Sequence, residues 1–279
     1  MAIRVVTDST CDLPDELVKQ YGIRVLPMYI HVGETEYLDG VSMSREQFYG
    51  GLPEFPRPPT TAAPGIDAFL QAYEELVEQG ATGIVSVHIA ESLSNVVNVA
   101  RVAAQRVEGA PVRVIDSGQL TLGVGLQALA AAELAAEGGT MQEVEAIVRG
   151  MIARSHTFAA LATVEFLKRS GRLSQFQAGL ATVLRILPLL KMHKGVAEME
   201  KIRTREKGVK RLVQLLRDLG PLEQLAVVHT NAPQEAAALL QGVHAWIPPG
   251  IEPLHAQVTP VIGAHIGPGA VGFVAVARR

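Results

Sequence analysis

Hydroxyl and imidazole side chains in this sequence stand where turns of the backbone would present them to a ligand. Four polar turns, two arginine-bearing segments and one histidine stand out: Asp8-Ser9-Thr10, Thr60-Thr61, Ser92 with Ser94, Asp116-Ser117, Gly171-Arg172, Arg203-Thr204-Arg205 and His265. Hydroxyl groups at strand ends or helix N-termini, with backbone N–H groups beside them, can cradle a carboxylate or a phosphate. The sequence therefore favours a site for a small anionic group.

Two of these residues also allow a simpler interpretation. His265 lies among four glycines and a proline in segment 263–272, directly before an expected last strand. Glycine permits backbone angles that other residues resist, so this segment is either a functional loop or a plain tight turn. Ser94 either points at a ligand or caps the helix that follows it, which is worth about 1 kcal/mol. The residues alone leave both choices open.

Several catalytic classes lack their sequence signatures. No Gly-x-Ser-x-Gly surrounds Ser9, Ser94 or Ser117, the eight histidines are dispersed, and neither a phosphate loop nor a dinucleotide-binding glycine motif is present. We therefore expect no metal and no cofactor. Because a Ser–His triad is defined by geometry, an acyl hydrolase or transferase that uses Ser94 or Ser9 with His265 remains the alternative.

The composition indicates an aliphatic interior and a reducing environment. Hydrophobic residues make up 48% of the chain and aromatic residues only 5%, which is typical of α/β proteins with buried parallel strands. Cys11 is the single cysteine, so neither an internal disulfide nor a cysteine cluster for zinc is possible, and a cytoplasmic setting is expected. Charges interrupt the apolar runs, so we expect no integral membrane association.

A basic segment spans residues 185–217, where ten Lys and Arg face three Glu, although the net charge of the chain is only -3. Such a segment can contact nucleic acid, a phosphate group or an acidic protein surface, or it can be a solvated helix face. No aromatic residues are interleaved with these charges. Because base stacking requires aromatic side chains, we expect no nucleic-acid binding.

The pattern of elements predicts an α/β protein with two domains. Strands expected at 3–6, 83–87 and 112–115 alternate with helices and end in polar turns, which indicates a parallel sheet covered by helices. In the second half the strands lie close together in sequence, so a mixed sheet is expected there. We place the domains at 1–157 and 158–279. The five prolines of segment 53–64 predict a loop without regular structure.

Seven short motifs follow one another along the chain: Thr7-Asp-Ser-Thr-Cys-Asp-Leu-Pro14, Pro59-Thr-Thr-Ala-Ala-Pro64, Leu93-Ser-Asn95, Val114-Ile-Asp-Ser117, Phe166-Leu-Lys-Arg-Ser-Gly-Arg172, Lys201-Ile-Arg-Thr-Arg205 and His265-Ile-Gly-Pro-Gly269. Each motif alone is a weak signal. Together, and in this order, they resemble the motifs of the DegV family of bacterial proteins, which are the fatty-acid-binding subunits of fatty acid kinase. The resemblance covers essentially the whole chain.

This resemblance implies a long-chain fatty acid, such as palmitate, in a tunnel between the two domains. It assigns the carboxylate to Thr61 and Ser94, with His265 at the tunnel mouth. Arg172 and Arg203, with Arg205 beside them, are implied as contacts to the head group or the partner. In the family a separate ATP-dependent kinase subunit phosphorylates the bound carboxylate, and the acyl-phosphate enters phospholipid synthesis. The resemblance thus implies a carrier without catalytic residues of its own.

The sequence departs from the family pattern close to both hydroxyl residues. Ala62-Ala63 replaces Ser-Gln after the threonines, and Asn95-Val96-Val97 replaces the usual Gly-Thr-Tyr after Ser94. The two hydroxyl groups themselves are retained. We therefore expect a less polar surrounding for the head group, which affects chain selectivity and the partner interface.

Overall fold

The computed structural model describes residues 2–55, 57–175 and 187–278. In chain order the strands are β1 (Ile3–Asp8), β2 (Arg24–Leu26), β3 (Tyr29–Val32), β4 (Thr35–Leu38), β5 (Thr60–Ala62), β6 (Gly83–His88), β7 (Val112–Asp116), β8 (Ser155–Ala160), β9 (Leu187–His193), β10 (Val196–Ile202), β11 (Leu222–His229), β12 (Leu254–Gln257) and β13 (Val271–Ala277). The α-helices are α1 (Asp15–Gln20), α2 (Arg45–Gly51), α3 (Ile66–Glu78), α4 (Val96–Ala104), α5 (Leu122–Ala136), α6 (Met141–Ile152), α7 (Glu165–Arg169), α8 (Arg205–Asp218), α9 (Pro233–Val243) and α10 (Pro260–Ile266).

The N-terminal half is built on a parallel sheet with the strand order β2-β1-β6-β7, as the sequence predicts. Helix α5 is buried along most of its length because it packs against β1 and β6 of this sheet and also against β8 and β13 of the second sheet. A helix with apolar residues on all sides needs such a position between two layers. Helix α5 thereby joins the two halves of the core.

The C-terminal half is built on a mixed sheet with the strand order β10-β9-β8-β13-β11-β12. Strands β9 and β10 form a hairpin, whose turn residues Lys194 and Gly195 have φ angles of 49° and 77°. Two consecutive positive φ angles match the twist of a tight hairpin turn. Apolar residues of α8 and α9 cover one face of this sheet. The predicted fold class is confirmed.

A third, antiparallel sheet with the order β4-β3-β5 corrects the prediction for the proline-rich segment. Residues 60–62 pair with β3, and Thr61 lies opposite Ile30. The prolines stand on either side of these three residues, so each of the three keeps the N–H group that a ladder requires. The segment is therefore not a loop throughout.

His265 does not lie in a glycine turn, as the sequence predicts, but in the last turn of α10. Thr259 caps this helix by accepting a hydrogen bond from the Val261 N–H, and Pro260 occupies its first position. The glycine-rich turn comes afterwards, where Gly267 ends the helix at a φ of 74°. A β-carbon on Gly267 would come within 2.3 Å of the Phe166 ring, so this turn requires glycine.

The domain boundary between residues 157 and 158 stays a prediction. This boundary would divide β8, all of which belongs to the six-stranded sheet. The link between α6 and β8, which precedes Ser155, is therefore a more natural place for it. Among the described helices, none has the length and apolar character that a bilayer crossing demands.

Candidate ligand-binding site

A cavity of about 250 Å³ lies where the two halves meet. The six-stranded sheet, β5 and α10 contribute to its wall, which is mostly apolar. The larger apolar side chains of the lining are Met28, Ile89, Leu93, Leu120, Leu167, Leu190, Met192, Val228, Val258, Val261, Ile262 and Ile266. The polar groups are few, as is usual in sites for small molecules. Among them are all three predicted head-group residues.

Thr61 and His265 meet at the wall of this cavity. Thr61 Oγ1 lies 2.9 Å from His265 Nε2, which is a hydrogen bond between residues from opposite halves of the chain. Strand β5 holds Thr61 by its pairing with β3, and α10 holds His265. The sequence indicates Thr61 and His265 only as separate candidates, whereas the structure joins them by a hydrogen bond.

The Thr61–His265 pair has two donor hydrogens, and the hydrogen bond between the two side chains uses only one of them. Burial, followed by the nearby Arg172 charge, lowers the pKa of His265 to about 4, so the ring is neutral at pH 7. A neutral imidazole carries one N–H and threonine one O–H, and the bond between them consumes only one of the two. The remaining hydrogen is on His265 Nδ1 or on the Thr61 hydroxyl. Nδ1 is buried and has no hydrogen-bond partner within the described part of the chain.

Ser94 also lines the cavity, half-buried at the start of α4. Of the two interpretations left open by the sequence, Ser94 does not follow the capping one, because the N-cap is Asn95 and no side chain makes a capping hydrogen bond there. The Ser94 backbone N–H donates to the Ala90 carbonyl, which fixes the residue and leaves its hydroxyl beside the cavity. The ligand-facing interpretation of Ser94 stays a prediction.

The three predicted arginines do not share one position. Arg172 lines the cavity close enough to His265 to affect its pKa. Arg205 is outside the lining; its guanidinium donates to the Gly269 carbonyl at 3.2 Å and pairs with Glu235 at 3.4 Å. Arg203 is exposed and also outside the lining. Of the three arginines, only Arg172 lines the cavity.

The basic segment is partly neutralised by its own acids. Lys210 pairs with Glu206 at 2.6 Å, and Arg211 pairs with Glu200 at 3.0 Å. Arg185, which the sequence counts in this segment, lies outside the described residues. The positive charge that a partner could meet is thus smaller than the count of basic residues indicates.

A second hydroxyl–imidazole cluster lies in the core of the N-terminal half and was not identified from the sequence. His88 Nδ1 is 2.9 Å from Asp8 Oδ2, and His88 Nε2 is 2.6 Å from Ser86 Oγ, which in turn lies 2.8 Å from the Tyr73 hydroxyl. The Asp8, Ser86 and His88 side chains are fully buried. The available signal was the alternation of Ser86 and His88 on one face of β6.

The geometry does not favour the serine hydrolase. Ser9 accepts a hydrogen bond from the Met28 N–H and does not line the cavity. His265 is bonded to a threonine, and within the described residues no carboxylate orients it or Ser94. The Asp8–His88–Ser86 chain has the residue types of a triad but no access to a substrate. In the described part of the chain, no group of three or more side chains could hold a metal ion.

The fold and the cavity define an α/β protein with a largely apolar site where its two halves meet. The chain belongs to the DegV family: a family model described as an uncharacterised DegV family protein matches residues 2–278. A DegV domain-containing protein of Streptomyces coelicolor is 36% identical over 280 residues, with 99% of both chains covered.

Two solved structures resemble the whole chain. One is a DegV family protein from Thermus thermophilus, described as fatty acid binding, with 33% identity, a TM-score of 0.90 and 100% of both chains covered. The other is DegV of Bacillus subtilis, described as a fatty acid binding protein, with 31% identity, a TM-score of 0.91 and the same coverage.

Proposed function

We propose that this protein binds a long-chain fatty acid, with the tail in the cavity and the carboxylate at Thr61, His265 and Ser94. The observation that carries the proposal is the Thr61–His265 pair, a donor with a spare hydrogen at the wall of an apolar cavity. The two relatives described as fatty acid binding, each over 30% identical along the whole chain, support the same ligand class.

The tail supplies most of the affinity in this account. Each buried methylene contributes about 0.8 kcal/mol, so a chain of about 16 carbons supplies on the order of 10 kcal/mol before ordering costs are subtracted. The head group therefore needs no cluster of cations. Thr61 and Ser94 offer hydroxyl donors, His265 is neutral at pH 7, and Arg172 adds one positive charge nearby.

This choice of groups suits a carrier that presents its ligand for chemistry elsewhere. Neutral donors leave lone pairs on the carboxylate oxygens, whereas a bidentate arginine would occupy them. We propose that an ATP-dependent kinase subunit in the cytoplasm phosphorylates the exposed carboxylate and that the acyl-phosphate then serves phospholipid synthesis. Arg172 is placed to attract the added phosphate charge. The protein itself would supply no catalytic residue.

Native mass spectrometry tests the proposal directly. The purified protein should carry one fatty acid per chain, or take up one equivalent of palmitate after lipid removal. Octanoate, which has eight fewer methylenes, should bind at least a hundredfold more weakly, because the tail supplies the affinity. If no lipid mass is found and palmitate does not bind, the proposal is wrong.

A further inference from the structure

Helix α10 is attached to the N-terminal half at both of its ends, although it belongs to the C-terminal half by sequence. At its C-terminal end His265 bonds to Thr61. At its N-terminal end Thr259 bonds to two aspartates of the N-terminal half, Asp12 and Asp39. Between these ends the helix forms part of the cavity wall. Helix α10 is thus held at both ends while its middle part lines the site.

The N-terminal attachment consists of two hydrogen bonds from one residue. The Thr259 N–H donates to Asp12 Oδ1 at 2.8 Å, and the Thr259 hydroxyl donates to Asp39 Oδ2. Thr259 is fully buried, and Asp12 and Asp39 are 2% and 5% exposed. Loss of either bond would leave a buried polar group without its partner, which is costly. The start of α10 is therefore fixed by two acceptors that water hardly reaches.

Arg45 and Tyr49 of α2 hold the rest of this attachment. Arg45 Nη2 lies 3.1 Å from Asp12 Oδ1, and its other terminal nitrogen donates to the Gln257 carbonyl just before α10. The Tyr49 hydroxyl donates to the Val258 carbonyl at 2.9 Å. A β-carbon on Gly263 would come within 2.3 Å of the Tyr49 hydroxyl oxygen, so the helix backbone rests directly on this ring.

The cluster is a costly way to stabilise a fold. Asp12 is paired with Arg45, and burial raises the pKa of Asp12 to about 7, although the Arg45 charge opposes this. Burial also raises the pKa of Asp39. Buried ion pairs often add no stability over apolar residues of the same volume, whereas they can specify one arrangement. Specifying the position of α10 is the role that fits this geometry.

Position at one end of α10 determines position at the other. With a rise of 1.5 Å per residue, Thr259 and His265 are separated by about 9 Å of rigid helix. A rotation or shift at Thr259 would therefore carry the His265 ring away from Thr61. Hydrogen bonds weaken steeply with distance and angle, so a displacement well below 1 Å would suffice.

We propose that Asp12 and Asp39 are positioning residues that act through Thr259 to set the His265–Thr61 pair for the head group. Neither aspartate touches the ligand in this account. The effect on fatty acid affinity rests on the proposed function, but the effect on His265 does not.

The test compares Thr259→Val with Thr259→Ser, using protein labelled with ¹⁵N in its histidines. In lipid-free protein Thr259→Val should shift both ring nitrogen resonances of His265, whereas Thr259→Ser, which keeps the hydroxyl, should leave them as in the wild type. Palmitate should bind Thr259→Val about tenfold more weakly, since the mutual bond of the pair is lost.

Thr140→Val is the matched control, because Thr140 caps α6 by the same type of bond. It should lower the melting temperature as a lost cap does and leave His265 unchanged.

If Thr259→Val does not fold, Asp39→Asn, which keeps the shape of the carboxyl group, should shift the same resonances by less. Unchanged His265 resonances in the folded variant, or equal shifts in Thr140→Val, overturn the proposal. A wild type that does not bind palmitate would instead refute the proposed function, while the resonances still decide on positioning.

Discussion

Two clusters in this molecule combine a histidine with hydroxyl groups, and they differ in what is left unbonded. His88 bonds through both ring nitrogens, to Asp8 and to Ser86, and it is fully buried. His265 bonds through one nitrogen, to Thr61, and lies on a cavity wall. The same residue types therefore give a closed network in one place and an open one in the other.

The pKa shifts in the two clusters reflect the same difference between a closed and an open network. Burial alone would raise the pKa of Asp8. The hydrogen bond and charge of His88, together with hydrogen bonds from Thr10 and the Ile89 N–H, outweigh this effect and bring the pKa below its usual value. Among the described residues, none supplies His265 with a carboxylate partner, and burial lowers its pKa and keeps the ring neutral. A histidine with its own acid stabilises the core, whereas one with a spare hydrogen can receive a ligand.

The largest expected effect is on stability, from His88→Ala. This change leaves Asp8 buried without its partner, which costs about 3–5 kcal/mol and lowers the melting temperature on the order of 10 °C. Thermal unfolding checks the loss, with the exposed His244→Ala as control. Palmitate affinity of the folded protein should not change. Lost affinity with unchanged stability would show that the closed network belongs to the site.

The next effect is on the pH dependence of stability, from His265→Gln. As pH falls from 6.5 to about 4, unfolded chains take up a proton that folded His265 refuses, so wild-type stability falls in this window. The variant should lose less stability there. His156 and His229, whose pKa values burial also lowers to about 4, act equally in both proteins and cancel.

Denaturant unfolding between about pH 4.5 and 7.5 measures this difference. His244→Gln, which changes an exposed histidine, should follow the wild type. Parallel curves for His265→Gln and the wild type would mean that His265 is not held neutral.

A smaller effect separates Ser94 from a true helix cap. Ser94→Ala should lower palmitate affinity roughly tenfold at most and leave stability unchanged, since Ser94 makes no capping bond. Ser44→Ala should do the opposite, because Ser44 forms a capping box with Gln47 and its loss costs about 1 kcal/mol. Calorimetric binding and melting curves of both variants check this. A stability loss in Ser94→Ala with unchanged affinity would contradict the assignment.

The smallest effect on stability and palmitate binding is expected from changes to exposed positive charges. Reversing Arg203 and Lys207 to Glu should leave stability and palmitate binding unchanged, because both residues are exposed and outside the cavity lining. Association with the proposed kinase subunit should weaken several-fold, more so at low salt. Lys19→Glu, an exposed charge on α1, is the control. Equal binding of the kinase by the two proteins would place the docking surface elsewhere.

Where local residues carry the signal, the sequence predicts the fold well. The expected last strand is β13, and the strands expected at 3–6, 83–87 and 112–115 lie within β1, β6 and β7. Helix α10 is missed because seven residues that include Gly263 carry little helical signal, and its anchors at Asp12 and Asp39 are distant in sequence. Tertiary contacts decide such short helices.

The sequence can name candidate residues for the site, but it cannot predict how these residues are arranged in space. Of the residues that the family resemblance nominates, Thr61, Ser94, His265 and Arg172 line the cavity, whereas Arg203 and Arg205 do not. The bond between Thr61 and His265 joins positions 204 residues apart, and no local pattern reports it. Its formation depends on the pairing of β5 and on the placement of α10, both of which the local sequence obscures.

One measurement tests the central claim, which is that the Thr61–His265 pair recognises a carboxylate and the cavity only a tail. Palmitate and its methyl ester share the tail but differ in the head group, so their affinities separate the two contributions. The wild type should prefer palmitate at least tenfold, and Thr61→Val should lose this preference while the exposed neighbour variant Thr60→Val keeps it. Equal binding of both ligands by the wild type, or an intact preference in Thr61→Val, would contradict the account.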